Sequence, residues 1–279
     1  MIAIVLSGGA NYGALQAGAL EVLYASGLRP DMLVGVSVGA LNASWLAAHP
    51  TPEGAKQLSH IWGNSAPDYF PRLKTWQLVL RFLQGKESLL SNDQLQRFIR
   101  LWSPDSRTFG EYRDPYLYMV SVKLPENNLY VFGDHPKDRV FDGLMSSTAL
   151  PPLYPPWRMD QVEYVDGGIH SDLPLQVAVQ RGAKEIYALQ IQRPRQNLRI
   201  LSRRAFTLGR HALSAIISRN ADLEIQMVRY QPEIRLHRLP LWPKQDPGFW
   251  NYQQGDQLVE DGRQAAVRFF EMGIDKNGL

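Results

Sequence analysis

The sequence predicts an α/β fold in which a central, largely parallel sheet is sandwiched between layers of helices. Three observations carry this. Apolar runs such as Ile2–Leu6 and Met32–Val34 are continuous rather than alternating, as in strands covered on both faces. Helical patterns follow these runs, so strands and helices alternate along the chain. The length, 279 residues with 44% hydrophobic side chains, is enough for a large core in one domain spanning 1–279, and no linker or internal repeat divides it.

Taken in order, Ile2-Ala3-Ile4-Val5-Leu6 reads as the first strand. It is too short for the apolar part of a secretory signal and has no basic residues before it. It ends in the glycine-rich Ser7-Gly8-Gly9-Ala10-Asn11-Tyr12-Gly13. A helix follows, with Leu15, Ala19, Val22 and Leu23 on one face and Gly27 at its end. Met32–Val34 is the second strand, and the small-residue run Ala40-Leu41-Asn42-Ala43 belongs to the next helix. Thr51-Pro52 opens another, with proline in its tolerated first position. Gly63 to Pro71 reads as loop, and Trp76, Val79, Leu80 and Leu83 then share a helical face. Ser91-Asn92-Asp93-Gln94 has the pattern of a capping box and starts a helix carrying Leu95, Phe98, Ile99 and Trp102. Tyr116–Val122, Asn128–Phe132, Val162–Val165 and Ile186–Leu189 read as strands, and Asp256 to Met272 as a closing amphipathic helix.

The chemistry concentrates at three strand ends. Gly35-Val36-Ser37-Val38-Gly39 puts a serine on a tight strand-to-helix turn, where its hydroxyl projects into a cleft beside the bare N–H groups of a helix start. The loop of Gly8, Gly9 and Ala10, supported by Gly13, presents further N–H groups to an anion. Beside a serine nucleophile that anion is the oxyanion of a tetrahedral intermediate. Asp166, followed by Gly167 and Gly168, ends a strand at the sheet edge where open α/β folds place their sites. The glycine loop lacks the Lys-Ser/Thr of a phosphate-binding loop and the dinucleotide spacing.

These three segments resemble the patatin-like phospholipases, serine acyl hydrolases that work with a Ser–Asp dyad. Ser146-Ser147-Thr148-Ala149-Leu150-Pro151-Pro152, Pro155-Pro156, Pro174-Leu175, Arg181-Gly182-Ala183 and the strand Ile186–Leu189 extend the likeness over about the first 190 residues. The resemblance implies a three-layer fold, Ser37 as nucleophile, Asp166 as its base, and Gly8, Gly9 and Ala10 as the oxyanion loop. It implies hydrolysis of lipid acyl esters, whether phospholipid, lysophospholipid or acylglycerol, through an acyl-enzyme. Three positions depart from the family's pattern. Ala10 replaces a glycine, and its N–H stays available if its φ is negative. Tyr12 replaces a basic residue, which removes a positive charge expected near the oxyanion. Asp172 replaces an asparagine. These departures motivate the alternative of a catalytically weak or inactive relative that binds acyl chains or anionic membranes. The chemical rival is a Ser–His–Asp triad using His170, four residues after Asp166.

Composition narrows the rest. With no cysteine, disulfides and thiolate metal sites are excluded, which fits a reducing, cytoplasmic setting. No stretch has the length of a membrane span and no calcium-ligand spacing occurs, so the expectation is no metal and no cofactor. Net charge is only +3, but between Glu185 and Asp222 there are seven arginines and no acid. Leu201, Ala205, Leu208, Ala212 and Ala215 recur at helical spacing through this basic region, 193–219. It reads either as a solvated basic face or as a dock for peripheral contact with anionic headgroups. Nucleic acid is not the expected partner, because no aromatics interleave with the arginines. The segment 62–90, with Trp62, Tyr69, Phe70, Trp76 and Phe82, is the candidate lid; the alternative is a helix packed on the core.

Overall fold

The computed structural model describes residues 1–65, 68, 87–102, 107–192, 205–248 and 251–272. Among them eight strands form one sheet: β1 (Ile2–Leu6), β2 (Met32–Gly35), β3 (Tyr116–Leu124), β4 (Asn128–Phe132), β5 (Trp157–Met159), β6 (Val162–Asp166), β7 (Glu185–Ile191) and β8 (Arg235–Leu241). The most apolar run, β1, lies centrally, parallel to β2 on one side and β7 on the other. β2 continues in parallel to β3, and β7 to β8. Two strands run against the rest: β4 and β6 are antiparallel to β3, and β5, antiparallel to β6, points the same way as β3.

Alternation along β1 explains why its whole run is apolar. Ile4 and Leu6 face one core; Ala3 and Val5 face the other. The first core holds α1 (Gly13–Ala25), α2 (Val38–Ala48), α3 (Pro52–His60), α4 (Asn92–Trp102), α5 (Val140–Ser147) and, late in the chain, the last described helix. The second core is covered by α6 (Leu175–Gln180) and α7 (Ala205–Arg229). The last helix, α8 (Gly255–Glu271), crosses α1. A Cβ at Gly18 would overlap the carbonyl of Val259, and one at Gly262 the carbonyl of Leu15, so the two backbones nearly touch. This close crossing is why α1 is buried on nearly all sides from Gly13 to Leu20, rather than along one face as its pattern predicts.

Thr51 caps α3 as expected, its side chain accepting from Gly54 N–H at 3.0 Å. At the start of α4 the Ser91 hydroxyl instead donates to Asp93 Oδ2 at 3.1 Å. Trp62 is buried at 2% exposure, among Phe98, Trp102 and Tyr252, so this member of the candidate lid belongs to the core. Tyr69, Phe70, Trp76 and Phe82 lie outside the described residues, as do Arg193, Arg195, Arg199, Arg203 and Arg204. No described helix is long and apolar enough to cross a membrane.

Candidate active site

Ser37 sits between β2 and α2 with φ 54° and ψ −124°, the left-handed conformation a sharp elbow needs. The flanking residues must be glycine. A Cβ at Gly35 would overlap the carbonyl of Gly39, and one at Gly39 the carbonyl of Leu6. Val36 is buried in the second core, and Val38 packs on Gly13, so the serine alone of Val36, Ser37 and Val38 is left half-exposed.

Strand register explains how Asp166 reaches it. From Met119 to Lys123 one edge of β3 is taken by β4. On the other edge β2 arrives from one direction and ends with Gly35 opposite Met119. From the opposite direction β6 arrives and ends with Asp166 opposite Ser121. The two strands meet end to end across Val120. Ser147, fully buried at the end of α5, bridges the junction: its hydroxyl donates to Val120 O at 2.8 Å and accepts from Ser37 N–H at 2.9 Å. A Cβ at Gly167 would overlap the Val120 carbonyl, so the turn after Asp166 must be glycine to lie this close to β3. Gly168 N–H donates to Asp166 Oδ1 at 2.8 Å and holds the carboxylate, which is 1% exposed.

The glycine loop forms the third wall. Its root is locked by buried amides. Gln16 Nε2 donates to the carbonyls of Ser7 and Leu189 at 2.9 and 3.3 Å. Asn42 Nδ2 donates to Gly13 O and Gln16 Oε1, each at 3.0 Å, and Trp62 Nε1 donates to Asn42 Oδ1 at 2.8 Å. Of the expected oxyanion donors, Gly8 is already engaged: its N–H donates to Asp172 O at 3.2 Å. The N–H groups of Gly9, Ala10 and Val38 have no hydrogen-bond acceptor among the described residues. Ala10 has φ 51°, so the negative φ on which its free N–H was expected to depend is not adopted; the N–H is without an acceptor among the described residues all the same, and the alanine holds a conformation suited to glycine.

These groups converge on one cleft of about 660 Å³, part of it open to solvent. Gly8, Gly9, Ala10, Ser37, Asp166 and Gly168 line its polar end. Leu41, Trp62, Leu95, Phe98, Leu150, Tyr154, Tyr252 and Ile217 of α7 line the rest. No histidine lines it among the described residues, and His170 is exposed. Tyr12 is absent from the lining too. Its buried ring sends the hydroxyl to Asp246 Oδ1 at 2.5 Å, so this position ties down a loop instead of facing the cleft.

Asp172 was noticed in the sequence only as a departure, and the structure makes it a wall of the site. It is 8% exposed and lines the cleft. Its Oδ1 lies 2.7 Å from where a Cβ on Gly8 would stand, with Ser37 Cβ 3.4 Å from that point. It also lies 3.3 Å from the corresponding point on Gly168, which is 3.1 Å from Asp166 Oδ1. Two carboxylates therefore flank one small space next to the serine. The signal in the sequence was an acid six residues after Asp166, in a loop whose path only the fold reveals.

Fold and cleft together define a class: α/β proteins carrying a serine on a strand–helix elbow beside a glycine loop. The model of the family described as patatin-like phospholipase matches residues 4–179. The chain belongs to the patatin-like phospholipase family. It is 26% identical over 191 residues to patatin-like phospholipase domain-containing protein 6 of Mus musculus, which covers 68% of this chain and 13% of that protein. The chain thus spans only a small part of that relative. It is 25% identical over 221 residues to YqhO of Bacillus subtilis (strain 168), covering 70% of this chain and 74% of that one. Among solved structures, VipD from Legionella pneumophila superposes with a TM-score of 0.53 at 15% identity, over 97% of this chain and 66% of that chain.

Proposed function

We propose that this chain hydrolyses carboxylic ester bonds of lipids, with Ser37 as nucleophile and Asp166 as base. The observation that carries this is the end-to-end meeting of β2 and β6 on β3, which delivers the serine and the carboxylate to one cleft. Ser37 Oγ attacks the ester carbonyl while its proton passes to Asp166. The carbonyl oxygen gains negative charge and is met by the N–H groups of Gly9, Ala10 and Val38. The intermediate collapses, the alcohol leaves with the proton from Asp166, and an acyl-Ser37 remains. Water, deprotonated by Asp166, then releases the fatty acid. Gly8 shapes the loop through its bond to Asp172 rather than acting as a donor.

The apolar end of the cleft supports an acyl chain as the recognised part of the substrate. No cationic side chain lines the cleft among the described residues, so recognition there depends on the acyl half rather than on a phosphate. Membership of the family supports lipid as the substrate class.

Ser37→Ala is expected to lower turnover of a short acyl ester by at least about a thousandfold, and a fluorophosphonate is expected to label Ser37. A folded protein that neither turns over a broad ester panel nor reacts with the probe is a binding relative, not an enzyme. His170→Ala separates dyad from triad: near-normal hydrolysis is the expected result, and a collapse in rate overturns the Asp166 assignment. Mass spectrometry of products from a mixed lipid extract, wild type against Ser37→Ala, identifies the ester.

A further inference from the structure

Helix α7 carries two apolar stripes on different sides. Ile217, Ala221, Ile225 and Val228 face inward and are buried. Ile216, Leu223, Met227 and, just past the helix end, Tyr230 face outward and are 53%, 44%, 55% and 86% exposed. Steps of seven, four and three residues place these four in one row, with exposed Arg219 between the first two. The row contains no acid. An exposed apolar row of this length on a folded protein marks a contact surface.

We propose that this outward face of α7 docks on a bilayer that contains anionic lipid. Charge argues for that occupant. Over the whole stretch between Glu185 and Asp222, which includes Ile216 and Arg219 but not the later three residues of the row, the chain has seven arginines and no carboxylate. Arg219 stands exposed in the row, and an apolar helix face preceded in sequence by so basic a stretch suits a surface of anionic headgroups over acyl chains. Position argues the same way. Ile216 neighbours Ile217, which lines the cleft, so the row lies on the same stretch of helix as a cleft residue. α7 is also pinned to the site. Asn220 Nδ2 donates to Ile169 O at 3.0 Å, and Glu224 accepts from the Ser171 hydroxyl and, at 2.9 Å, from Gln176 N–H. A bilayer held by the row is therefore held against a helix anchored to the segment that follows Asp166. A role for the surface in turnover rests on the lipid-ester reading; the docking itself does not.

The test is co-sedimentation of the full chain with vesicles of phosphatidylcholine, alone or mixed with phosphatidylglycerol. A parallel assay follows a water-soluble short-chain ester. Wild type is expected to bind the anionic vesicles and to lose binding as salt rises. Arg219→Glu is expected to weaken binding about fivefold or more. Replacing Ile216, Leu223 and Met227 together by serine is expected to weaken it at least about tenfold while soluble-ester turnover stays as in wild type. Wild type that ignores anionic vesicles overturns the proposal, as does a triple variant that binds normally. A wild-type dimer that the triple variant converts to monomer also overturns it and makes the face a protein interface. Vesicle binding without turnover of any ester upholds the docking and sinks the enzymatic reading instead.

Discussion

Ser147 is given no part in the chemistry, yet it fills the gap at Val120 between the ends of β2 and β6 on one edge of β3. Its hydroxyl satisfies both the Val120 carbonyl and the Ser37 N–H, two buried backbone groups that alanine would leave unpaired. Ser147→Ala is expected to cost about 1–3 kcal/mol of stability in urea titrations. It is also expected to lower kcat about tenfold to a hundredfold with KM little changed, because the elbow shifts while the acyl wall stays. Ala10 makes the opposite prediction. Its φ of 51° costs an L-residue about 1 kcal/mol, so Ala10→Gly is expected to raise the melting temperature, with the loop N–H groups kept in place.

At the level of elements, α1 and α8 cross with their backbones nearly touching at Gly18 and Gly262. Gly262→Ala puts a methyl group into the Leu15 carbonyl, and neither helix can yield without disturbing Gln16 and the loop root beyond it. The expected cost is about 1–3 kcal/mol in chemical denaturation, with a loss of turnover from a displaced glycine loop. Glu224 predicts a pH effect. Burial raises the pKa of its carboxyl, and the bonds from the Ser171 hydroxyl and the Gln176 N–H only partly offset this. A carboxyl whose folded pKa lies above its unfolded one favours the native state most when protonated. Its contribution is lost as pH rises from the unfolded value through the folded one. Glu224→Gln keeps an acceptor and removes the titration, so the fall in stability from mildly acidic to neutral solution is expected to flatten.

Across the whole molecule, what was legible in the sequence is what local chemistry dictates. β1 is apolar because both faces are covered, and the elbow glycines follow from the absence of space beside Leu6 and Gly39. Ser37, Asp166, Gly9 and Ala10 all reach the cleft they were expected to share. What stayed hidden depends on distant partners. β8 carries Arg235, His237, Arg238 and Pro240, a composition that masks an edge strand until β7 is beside it. Tyr12 turns from the site because Asp246, over 230 residues away in sequence, accepts a hydrogen bond from its hydroxyl. Asp172 joins the site only because the loop after Gly168 folds back under Gly8.

Because β2 and β6 abut on a common neighbour, the spacing of Ser37 and Asp166 is measured out by β3 itself. Gly35 and Asp166 are paired with residues two apart on that strand, an offset of about 7 Å. Of the chain between positions 37 and 166, only β3 and Ser147 enter that measurement. Loops in this interval are therefore free to lengthen, shorten or change sequence without moving the hydroxyl relative to the carboxylate, as long as Met119-Val120-Ser121 remains the ruler.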